Sequence, residues 1–188
     1  MAADVLSVDW ANKDLTAARE ARVDLLSNEN GFEGSGASEL ADIKLPVVGV
    51  LPSALSAVFA PTSSGFESAP RVPRNFRESK LKLVAAALPS KLEYSITYQN
   101  IADGLDAYCV GTRSVSTSPV PLPPGSNAIP SEQAENDDEI HAAHAQQMRY
   151  GLPYRCDVYC SDPKTYPYCK TNSFATKMLS RAVLLAPG

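Results

Sequence analysis

The chain has 188 residues, with 17 basic and 21 acidic side chains, a formal net charge of −4, 44 % hydrophobic residues and 20 % charged ones. That composition fits one ordinary globular core, or at most two small ones, and excludes a collagen, a coiled coil, a wholly disordered chain and a small disulfide knot. A net negative chain offers no positive field to draw phosphate inward, so direct nucleic-acid binding is not expected.

The first ten residues contain Asp4 and Asp9 and lack both a basic and an apolar region, so they do not read as a secretory signal. From Asn12 to Ser27 the pattern predicts a helix. Asn12 caps it, Leu15, Ala18, Leu25 and Leu26 lie near one face, and Asn30-Gly31 stops it. Residues 45–73 hold five prolines, Pro46, Pro52, Pro61, Pro70 and Pro73. Residues 118–130 hold five more, including Pro123-Pro124. Each proline fixes φ and removes a donor, so both stretches are expected to be extended arms that cannot satisfy their own main chain and must lie against something else. The apolar run from Leu45 to Ala60 is shorter than a bilayer span and is broken by Pro46 and Pro52, so no transmembrane span is predicted.

Arg74 to Leu88 reads as a second helix, capped by Asn75, with Glu78 in the capping box and Pro89 at its end; an alternating strand through Lys80–Leu83 is the competing pattern. Leu92, Tyr94, Ile96 and Tyr98 alternate with Glu93, Ser95, Thr97 and Gln99, which predicts a strand with one dry face. Ala107 to Ser116 is its expected return through Asp103-Gly104, giving a hairpin over about 91–116. A third helix is predicted from Ser131 to about Tyr150, stopped by Gly151 and Pro153, and a last one from Asn172 or Ser173 through Leu185. The expected fold is therefore α+β. It is a single domain over 1–188, with a small core of the hairpin and two to four helices, proline-rich arms at 45–73 and 118–130, and a Cys/Tyr-rich loop at 150–170.

Charge falls in blocks, net −6 over residues 1–70, +3 over 71–131, −5 over 132–148 and +4 over 149–188, which can pair within one fold or face charged neighbours. Four cysteines stand at Cys109, Cys156, Cys160 and Cys169. They offer either a structural zinc site, for which the C-x3-C spacing is looser than a usual knuckle, or one or two disulfides, or buried thiols. A bond from Cys160 to Cys169 would close a tight loop around Pro163 and Pro167. Oxidation requires a suitable compartment, and a mitochondrial intermembrane route or a virion would supply one without a secretory signal.

Tyr150, Tyr154, Tyr159, Tyr166 and Tyr168, with Arg149, Arg155, Lys164 and Lys170 nearby, have the composition of a contact surface. On a helix, Asp137 or Asp138 with His141 and His144 would share one face. Asp138, His141 and His144 are thus candidate metal ligands for hydrolysis, against the plainer reading of a solvated acidic helix. The sequence has no Gly-rich phosphate loop followed by Lys-Ser or Lys-Thr, no G-x-G-x-x-G after a strand and no G-x-S-x-G elbow. The expectation is a non-catalytic structural subunit of a large assembly, such as an accessory subunit of an organellar complex or a capsid or virion component, that clasps other protein subunits through its arms. It needs no cofactor. A small metal-dependent hydrolase and a disulfide-stabilised protein-binding module are the alternatives.

Overall fold

The computed structural model describes residues 4–26, 32–33, 40, 43–51, 54, 81–82, 92–100, 105–115, 141–160 and 172–188. In chain order the elements are β1 (Asp4–Val5), α1 (Lys13–Glu20), β2 (Phe32–Glu33), β3 (Val47–Gly49), β4 (Leu81–Lys82), β5 (Glu93–Asn100), β6 (Leu105–Thr112), β7 (Ser114–Val115), β8 (His141–Arg149), β9 (Leu152–Cys160), α2 (Ser173–Ser180) and β10 (Val183–Ala186). Among the described residues, six strands are three residues or longer, and they build two antiparallel sheets, β5-β6-β9-β8 and β3-β10. Two-residue strands extend the larger sheet beyond β5 (β4, then β2) and pair β1 with β7. With two helices among them, the described residues are α+β and mostly β. No described helix is long and apolar enough to cross a membrane.

The β5–β6 pair is the hairpin expected from the alternation, in register from Glu93 opposite Thr112 to Asn100 opposite Leu105. Four expectations are corrected. First, α1 ends at Glu20 instead of Ser27, although Asn12 caps it as expected, its side chain accepting from the Asp14 N–H at 3.0 Å. Arg22 turns into the left-handed region at φ 49°. Its N–H donates to Arg19 O at 3.2 Å, and that of Val23 donates to Ala18 O at 2.9 Å, which is a Schellman stop made without glycine. Beyond it the chain is drawn to β10, where the Leu25 N–H donates to Leu185 O at 2.8 Å.

Second, Leu81–Lys82 pair with Tyr98 and Thr97, so the competing strand pattern holds there, and the rest of 74–88 lies outside the described residues. Third, His141–Arg149 is a strand and not the end of a helix, because Tyr150-Gly151 forms a two-residue turn closed by Arg149 opposite Leu152. Both turn residues have positive φ, 52° and 79°, a type I′ geometry whose twist suits a hairpin. Residues 152–160 of the supposed loop are its second strand. Fourth, the last helix stops at Ser180, and the chain continues as β10. Phe174, Met178, Ala182 and Leu185 are nevertheless all buried.

The core lies on one face of the large sheet. Tyr94, Ile96 and Tyr98 of β5, Ala107 and Cys109 of β6, and Tyr154, Cys156 and Val158 of β9 point into it, and β3, β10 and α2 cover it. Leu45, Val47, Val48 and Val50 are buried there, so the first residues of the 45–73 stretch are core and not arm. Apart from Ala54, residues 52–73 lie outside the described residues, as do 118–130.

One edge of β3 pairs with β10, through Val48 opposite Leu184 and Gly49 opposite Val183. Its other edge meets phenol groups. The Tyr94 hydroxyl accepts from the Val48 N–H at 2.5 Å and donates to Val48 O at 2.9 Å. The Tyr98 hydroxyl accepts from the Val50 N–H at 2.7 Å, and that of Tyr154 donates to Pro46 O at 3.0 Å. Residues 46, 48 and 50 are the alternate positions whose backbone groups would otherwise be stranded in a dry core. Gly111 stands between Tyr94 and Tyr154 in register, and a Cβ there would lie 2.7 Å from Tyr94 Cζ. The missing side chain is what admits the Tyr94 ring.

α2 is docked by Arg149, whose guanidinium donates from Nη1 to Ala182 O at 2.6 Å and from Nη2 to Leu179 O at 3.3 Å, a cation at the negative end of the helix. Tyr94→Phe should leave both polar groups of Val48 buried without a partner and cost about 1–3 kcal/mol in urea unfolding. Gly111→Ala should cost a similar amount by pushing the same ring aside. The double variant should lose less than the two losses added together, because both act on one contact.

Candidate functional site

The opposite face of the large sheet carries the polar residues of the same strands. Across the register, Thr97, Tyr108, Asp157 and His144 stand side by side, and Val110, Arg155 and Gln146 form the neighbouring row. Tyr108 of β6 and Tyr159 of β9 are diagonal neighbours. Their rings stack with centroids 5.5 Å apart and planes inclined by 15°, and their hydroxyls are hydrogen-bonded at 2.9 Å. Both are half-buried. Beside them the Arg155 Nε donates to Asp157 Oδ1 at 2.6 Å; the Arg155 side chain is 52 % exposed and that of Asp157 only 7 %. A carboxylate at that depth is held by its charged partner, whereas the guanidinium keeps much of its surface open. At the sheet edge the His144 backbone N–H donates to Asn172 Oδ1 at 3.3 Å, so the residue before α2 covers that part of β8.

The core behind this face is stapled. Cys109 and Cys156 are directly opposite each other in β6 and β9, with Cα atoms 4.1 Å apart, and form a disulfide. Closing a loop across 47 positions of sequence separation restricts the unfolded chain by about 4 kcal/mol on the chain-entropy account. Cys160 is disulfide-bonded as well, and Cys169 lies outside the described residues. Zinc ligation by Cys109, Cys156 and Cys160 is thereby overturned, since sulfurs joined to one another are not thiolate ligands.

The helical Asp138, His141, His144 face also fails as read. Residues 141 and 144 belong to β8, where an offset of three carries positions to opposite faces, and Asp138 lies outside the described residues.

The tyrosines of the expected contact loop part company. Tyr154 is a core residue and not an interface one. Tyr150 occupies the hairpin turn, where its carbonyl accepts from the Asp9 N–H at 2.8 Å. Tyr159 alone of the described ones sits on the outer face with a ring partner, and Tyr166 and Tyr168 lie outside the described residues. Arg149, expected near the surface patch, is spent on α2. Tyr108 and Asp157 were not expected in any site. The signal for Asp157 is the alternation of Leu152, Tyr154, Cys156, Val158 and Cys160 with Pro153, Arg155, Asp157 and Tyr159, which marks a strand with a polar face.

Burial, then the hydrogen bond with Tyr159, then the nearby charges of Tyr159 and Asp157, raises the Tyr108 hydroxyl from 10.0 to about 12. Burial likewise holds Tyr94, Tyr98 and Tyr154 well above the ordinary phenol range. A raised phenol keeps its proton longer in the folded chain, so this contribution to stability is complete below pH 10 and is lost as pH rises toward and through the folded values. Urea stability should therefore be flat to about pH 9 and fall steeply above about pH 10. Phenolate absorbance should show the core tyrosines ionising only together with unfolding.

The comparisons with known proteins find no family model, no curated protein and no solved structure that matches this chain.

Proposed function

We propose that this protein is a non-catalytic structural subunit of a larger protein assembly and that it meets a neighbouring protein through the outer face of the β5-β6-β9-β8 sheet. The observation that carries this reading is the half-open Tyr108–Tyr159 stack beside Arg155, on the two central strands of the four. Tyrosine and arginine are the residues on which protein interfaces concentrate binding energy. Stacked rings fixed by a shared hydrogen bond lose little further entropy on docking. Three features support a scaffold role in particular. The opposite face is committed to the core, the sheet centre is cross-linked, and the strongly perturbed phenols of that face are occupied in holding β3. The same surface serves a disulfide-stabilised binding module, so the two non-enzymatic expectations converge on one set of residues.

The test is light scattering on the protein purified from its source under native conditions. The wild-type chain should elute within a complex well above its own 20.1 kDa. Arg155→Glu combined with Tyr159→Ala should release it as a monomer with an unchanged circular dichroism spectrum. A loss of at least about 2 kcal/mol of association energy is expected if the stack is a hot spot. A wild-type chain that is monomeric in its native extract, or a folded variant that stays in the complex, overturns the reading.

A further inference from the structure

We infer that this chain is the substrate of a thiol-oxidation step that takes place before its core closes, and hence that it matures in an oxidising compartment. This rests on the fold alone and not on the partner-binding reading. Cys109 and Cys156 are 4 % and 1 % exposed, with Ile96 and Ala145 on either side of them in register. Their side chains lie on the face covered by β3, β10 and α2. Disulfide exchange needs a thiolate that an incoming disulfide can approach, and an apolar enclosure both blocks the approach and disfavours the thiolate. The bond therefore forms while the β6–β9 face is still open.

In the step, the thiolate of one cysteine attacks a protein or small-molecule disulfide, and one sulfur of that oxidant leaves as a thiol. The second thiolate then attacks the mixed disulfide and expels the other sulfur. Two electrons pass from the cysteine pair to the oxidant disulfide, and the two protons released by the cysteines end on its two thiols. Cys160, also disulfide-bonded and 5 % exposed, belongs to the same oxidised population, and no cysteine of the described residues is free. Three oxidised cysteines among the described residues are a mark of secreted, periplasmic, intermembrane or virion proteins more than of cytosolic ones.

The experiment has two arms, both on the full chain. In the first, cells or particles of the source are alkylated before they are opened, and the cysteine peptides are then mapped. Recovery of Cys109 joined to Cys156 supports the inference, and alkylated free thiols at those positions overturn it. In the second, reduction of the native protein by glutathione is timed. Opening of Cys109–Cys156 should be slower on the order of a hundredfold than in urea-unfolded chain, and should quicken in Tyr94→Phe, because reductant reaches the bond only through core opening. Rapid reduction in the native state, indifferent to Tyr94→Phe, overturns the order of events. Should that variant fail to fold, Arg149→Met, which loosens α2, serves the same comparison.

Discussion

Three phenolic hydroxyls hold this molecule together across its core. Among the described residues β3 has a strand neighbour on one edge only, and the second edge is buried where water cannot serve it. A third strand would be the ordinary remedy. Here Tyr94, Tyr98 and Tyr154 reach from the large sheet and supply donors and acceptors to residues 48, 50 and 46 in turn. The layers are thus joined by directed bonds as well as by apolar contact, which fixes where β3 sits along the sheet. A phenylalanine at any of the three positions would fill much the same space and leave the backbone unanswered. Gly111 belongs to the same arrangement, since its lack of a side chain lets the Tyr94 ring lie down.

From this constraint the division of the sheet into two unlike faces follows. The inner face is filled by tyrosine rings, a disulfide and aliphatic chains. The outer face inherits the residues between them, and on β6 and β9 these are Tyr108, Arg155, Asp157 and Tyr159. Locking the inner face makes the outer one a rigid platform. Side chains on a stiff sheet keep their relative positions, so the stacked pair and the neighbouring guanidinium present a fixed pattern to whatever approaches.

The hairpin was legible because eight consecutive residues from Leu92 alternate cleanly between apolar and polar. The strand at 152–160 alternates as well, but its cysteines suggest metal or loop chemistry and its proline reads as a helix stop. β8 was misread for a different reason. His-Ala-Ala-His-Ala-Gln-Gln-Met-Arg is rich in good helix formers, and its extended form is imposed by pairing with β9 through the Tyr150-Gly151 turn. Cysteine pairing was narrowed by counting, but the partner of Cys109 depended on register. The site was hidden for the same reason: Tyr108 and Tyr159 are 51 residues apart in sequence, and only the pairing of β6 with β9 brings their rings together.

The partnership of β3 with β10 has a bearing on synthesis. Val47 is paired with Ala186, so the strand that the tyrosines grip waits for its other edge until residue 186 has been made. At the usual pace of about 5–20 residues per second, that leaves several seconds or more during which an apolar segment trails from the ribosome unprotected. Closure of the β3–β10 pair therefore comes late, after the strands of the large sheet have been made.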